Sequence, residues 1–186
     1  MAENSPKKWF NLEEQFFAQM DQLLLDKLRQ ERSTTETAEA IMKVTGITDE
    51  KVAAELAGVG ITIETLTAFR LVPLVAVAWA DDRLEDNERE AVLQAAEKSG
   101  IDPAEPAMAM LRAWLSKRPN AELLNAWCHY SKSLAASLSG ANRSVLQKEI
   151  LEQVSTVARS SGGVLGFGSI SSSEKAIIDR VEQSLA

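Results

Sequence analysis

Val77-Ala78-Trp79-Ala80-Asp81-Asp82-Arg83-Leu84-Glu85-Asp86-Asn87-Glu88-Arg89 is the stretch whose reading decides the fold. An apolar run stops at two acids, and a second helical pattern begins at once. The arrangement recurs near the C-terminus. There Val157-Ala158-Arg159-Ser160-Ser161 leads through a glycine loop to Ile170-Ser171-Ser172-Ser173-Glu174. Glu88, Ala91, Val92 and Ala95 find counterparts in Glu174, Ile177, Ile178 and Val181. The spacing predicts a duplicated helix-loop-helix inside a larger helical protein.

Working outward, apolar residues recur at helical spacing along nearly the whole chain, and alternating runs joined by hairpin turns are absent. The expected class is all-α, a compact multi-helix bundle of about nine helices. A first helix carries an apolar stripe through Leu12, Phe16, Met20, Leu23, Leu24 and Leu28. Ser33-Thr34-Thr35-Glu36 reads as a capping box opening a second helix that Gly46 closes. Thr48 caps a third, ended by Gly58 and Gly60. Thr62 opens a fourth running to about Ala80, with Leu71, Leu74, Val75 and Ala78 on one stripe and a bend at Pro73.

Glu85 or Asp86 opens the fifth helix and Gly100 stops it. The sixth starts at Asp102-Pro103 or at Pro106 and presents Met110, Leu111, Trp114 and Leu115. Arg118-Pro119-Asn120 breaks the chain before a seventh helix through Leu123, Leu124, Trp127, Tyr130 and Leu134. An eighth begins around Asn142, and Ser171 with Glu174 forms a capping box for the ninth. No segment reads as an interdomain linker. The expected organisation is one domain spanning 1–186, with 1–61 as an N-terminal helical extension of a core at 62–186.

Charge and composition narrow the function classes. The chain has 186 residues, 45% of them hydrophobic, and a net charge of -7. Binding to phosphates by counterion release needs clustered Lys and Arg, so nucleic acid is not an expected partner. Cys128 is the single cysteine, which rules out an intrachain disulfide, and the opening residues lack the basic-then-apolar pattern of a signal peptide. A cytoplasmic setting is the expectation. The apolar run Leu71 to Ala80 falls well short of the ~20 residues that cross a bilayer, so no transmembrane segment is expected.

The acids at the centre have two readings. A helix C-terminus carries about half a negative charge, so Asp81 and Asp82 beyond one need a compensating cation. Arg83 or Arg89 is one candidate. A divalent ion, calcium or magnesium, held by Asp81 and Asp82 with Glu85 or Glu88 is the other. A regular EF-hand is excluded, because counting from Asp81 puts Arg83 at position 3, Asp86 at the glycine and Val92 at position 12. Glu88 also has a purely structural reading as a capping glutamate.

Ala80, Asp81, Glu88 and Arg89 stand where the tellurite-resistance TerB-like family has an alanine-aspartate-glycine step, a short acidic loop and a glutamate-arginine pair. The stretch resembles that signature, and VARSSGGVLGFGSISSSEKAII is similar to the family's second half. The resemblance covers roughly 62–186. Asp82 departs from it by replacing the glycine. The resemblance implies a compact, cytoplasmic helical bundle associated with bacterial stress or metal-oxyanion resistance. It also implies divalent-cation binding at Asp81 and Glu88, and assemblies near the inner membrane surface.

Other constellations read as packing. Cys128 and His129 are neighbours on a helix and point apart, which removes a thiolate–imidazole pair. The glycine loop lacks a P-loop lysine, so no phosphate site is expected there. Val164, Leu165 and Phe167 are expected to fold back onto the bundle or to form a contact for a partner or membrane surface. Trp79, Trp114 and Trp127 read as core. Trp9 and Phe10 beside Lys7 and Lys8 suit a helix staple or a peripheral membrane or partner contact. With no nucleophile–base pair or cofactor fingerprint, the alternative function is a helical protein-protein interaction adaptor.

Overall fold

A computed structural model describes the backbone of residues 6–160 and 170–186 and, within the first helix, the side chains of Gln19 and of Gln22 onward. The protein is all-α: nine α-helices and no strand lie among the described residues. They are α1 (Pro6–Thr45), α2 (Glu50–Gly58), α3 (Leu66–Phe69), α4 (Val72–Ala78), α5 (Asp86–Lys98), α6 (Pro106–Ser116), α7 (Ala121–Ser137), α8 (Gly140–Ser160) and α9 (Ser172–Leu185). The number agrees with the sequence reading, but the partition does not.

The first correction is that α1 runs unbroken through Ser33. The Thr34, Thr35 and Thr37 hydroxyls donate to the carbonyls of Gln30, Glu31 and Ser33, one turn back. Bonding of this kind lets hydroxyl residues stay inside a helix. Glu36 meanwhile accepts from Arg32 at 2.9 Å instead of reaching back to a cap. Gly46 does end the helix, at φ 73°, a left-handed conformation that glycine adopts without steric cost.

The second correction concerns the expected helix from Thr62 to Ala80, which is broken, not bent. Thr62 opens a 3-10 turn (Ile63–Thr65), α3 follows, and Arg70 and Leu71 separate it from α4. Pro73 explains the break. It has no N–H to give and its ring clashes with the carbonyl four residues back, so it is tolerated only in the first turn of a new helix. One smaller shift is that Asp49, not Thr48, caps α2, while α6 starts at Pro106, the later of the two expected positions.

Two apolar clusters meet at α4. On one side Leu71, Leu74, Val77 and Ala78 pack with Val92 and Ala96 of α5, Met108 and Leu111 of α6, and Val154 and Val157 of α8. On the other, Phe69 and Val72 pack with Leu56 of α2, Trp127 of α7 and Val181 and Leu185 of α9. Ile41, near the end of α1, joins this second cluster. Every residue of α4 except Ala76 is buried, as its apolar composition requires. Trp127 is buried, whereas Trp79 and Trp114 are only half-buried against the first cluster.

The rest of α1 is different. From Gln22 to Ser33 every side chain is exposed, and burial starts only with Ala38 and Ile41. The helix meets α2 and the 3-10 turn through that end. Leu23, Leu24, Leu25 and Leu28 are 49–66% exposed. The apolar stripe expected there therefore faces no part of the described chain. Leu12, Phe16 and Met20, with the Trp9 cluster, have side chains outside the described residues, and so do Val164, Leu165 and Phe167.

Candidate functional site: the acidic corner

Ala80, Asp81 and Asp82 lie in the turn that leaves α4. The Ala80 N–H donates to Val77 O at 3.0 Å and the Asp82 N–H to Trp79 O at 3.2 Å. Asp82 sits at φ 67°. Aspartate is among the few side chains that visit this region, which is how the turn survives without the glycine of the resembled pattern. Asp81 stabilises the next step by accepting from the Arg83 N–H at 3.1 Å.

Glu85 then caps α5, and its backbone N–H donates to Glu88 Oε2 at 2.9 Å. At the start of α9, Ser171 and Glu174 do the same. The Ser171 N–H donates to Glu174 Oε2 at 2.6 Å, and Ser171 Oγ accepts from the Glu174 N–H at 3.2 Å. Both capping glutamates are buried, Glu88 at 3% and Glu174 at 4% exposure. Burial pushes the Glu88 carboxyl up to about 7, against the pull of the Glu85 N–H, and the negative charges of Asp81, Glu174 and Glu85 add to the rise.

The four acids expected to share an ion therefore have separate engagements. Asp82 pairs with Arg118 at the end of the α6–α7 break. Asp81 holds its own turn, Glu85 is an exposed cap, and Glu88 points inward to serve that cap. Among the described residues no three His, Cys, Asp or Glu side chains are grouped to hold a metal ion. The compensating cation beside Asp82 is Arg118, not Arg83 or Arg89. Sequence reasoning missed it because the partners lie far apart in the chain, and no local pattern signals such a pairing.

Arg118 also borders a cleft of about 440 Å³ lined by Val59, Trp114, Lys117, Asn120 and Leu123. The Trp79 indole N–H donates to the Trp114 carbonyl at 2.9 Å, so the corner is tied to the end of α6 at two points. In α7, Cys128 is half-buried and burial raises its thiol, while His129 is exposed and bonds Glu55 at 2.7 Å. His129 is thus a surface group joining α7 to α2, which corrects its reading as a packing residue. No protein-family model, curated protein or solved structure matches the chain.

Proposed function

We propose that the protein is a non-enzymatic, TerB-like helical adaptor, cytoplasmic, whose body mounts the exposed stretch of α1 from Gln22 to Ser33 for a protein partner. The observation that carries this reading is the set of four consecutive or nearly consecutive leucines, Leu23, Leu24, Leu25 and Leu28, exposed on a stretch of α1 that none of the other described residues covers. Apolar groups of that size clustered on a surface mark interaction sites. The pattern is that of a helix awaiting a groove or another helix. A photoreactive amino acid at Leu25 of the full chain tests it. Adducts that vanish when Leu24 and Leu28 become serine support the reading, and no adduct at all removes it.

A second reading is favoured by the like charges around Glu88. In it the corner responds to a divalent cation, and the two helix-loop-helix units form a TerB-like duplicated pair. Exchange of α4 with α8 and of α5 with α9 leaves the packed pairs unchanged: α4 meets α9, α5 meets α8, and α4 meets α8. One or two carboxylates with retained waters suit magnesium better than calcium, which takes six to eight oxygens. Thermal melting with millimolar magnesium or calcium tests it, because a ligand of the native state raises Tm. A shift that Asp81→Asn abolishes supports this reading, and no shift removes it.

A further inference from the structure

We draw no further inference here: the strongest candidate, the cleft of about 440 Å³ between the end of α2 and the α6–α7 break, carries nothing, because its cations Lys117 and Arg118 are balanced by Glu122 and by Asp82, which already pairs with Arg118, and nothing in the structure shows what covers it.

Discussion

Glu88 and Glu174 each close a capping box with a buried carboxylate, and the charge of Glu174 helps to hold the proton on Glu88. Two helix N-termini thus bring like charges together inside the fold. The macrodipole at each N-terminus favours a carboxylate there, but burial and mutual repulsion oppose it, and for Glu88 the opposing terms win.

A pH dependence follows with a definite sign. The folded value of Glu88, about 7, lies above its ordinary 4.5. Between those values the native state keeps a proton that the unfolded chain releases, so the contribution of Glu88 is favourable at low pH and lost as pH rises through about 7. Glu88→Gln keeps an oxygen for the Glu85 N–H and removes the charge. It is expected to stabilise the protein by roughly 1–2 kcal/mol at pH 8 and to make little difference at pH 5. Urea unfolding at the two pH values measures both, and equal differences at both would show that the proton is not held there.

Asp82 is the second test. Its left-handed φ favours glycine, and its exposed pair with Arg118 contributes about 0–1 kcal/mol. Asp82→Gly should therefore be neutral within about 0.5 kcal/mol, because relief of the backbone offsets the lost pair. Asp82→Val keeps neither advantage and is expected to cost on the order of 1–2 kcal/mol. Thermal melts of the two variants, compared at one ionic strength, give the ordering.

Trp79→Phe removes the indole N–H and leaves the Trp114 carbonyl without that donor. The ring still packs against the first cluster. A loss of roughly 1–2 kcal/mol is expected, measured by chemical unfolding, and a neutral result would mean that water replaces the indole.

Phe69 is among the largest fully buried side chains and meets Tyr130 edge-on, with ring centroids 5.5 Å apart. Phe69→Ala should cost about 3–5 kcal/mol, and Phe69→Leu distinctly less, since the cavity is smaller. Tyr130→Phe leaves the ring contact in place and is expected to retain nearly full stability in the same assay.

Where the chain's own chemistry is local, the fold was legible. Gly46, Gly60 and Gly100 all take positive φ at helix exits, Asn120 caps α7, and Ser171 with Glu174 forms the expected box. Ser33 misleads because Ser-x-x-Glu suits a capping box but does not by itself interrupt a helix: no glycine or proline stands beside it, and the neighbouring threonines find carbonyls inside α1. Pro73 was read as a bend because its neighbours are uniformly apolar, so periodicity alone could not place the break. At the acidic corner the sequence pointed to the residues and to the capping role of Glu88. The burial of Glu88 beside Glu174 and the pairing of Asp82 with Arg118 depend on how distant segments pack, which no local spacing encodes.

The Trp79 bond to α6 gives the corner a native optical probe. Trp79 lies two residues ahead of Asp81, and its indole is half-buried with its N–H committed to a carbonyl near the residue that pairs with Asp82. Indole emission follows the polarity and hydrogen bonding around the ring, so a proton, ion or partner that disturbs this turn would change the colour of the unlabelled protein's fluorescence. Comparison with Trp79→Phe isolates that ring's share from the other tryptophans. Events at the corner can then be followed in real time without attaching a dye.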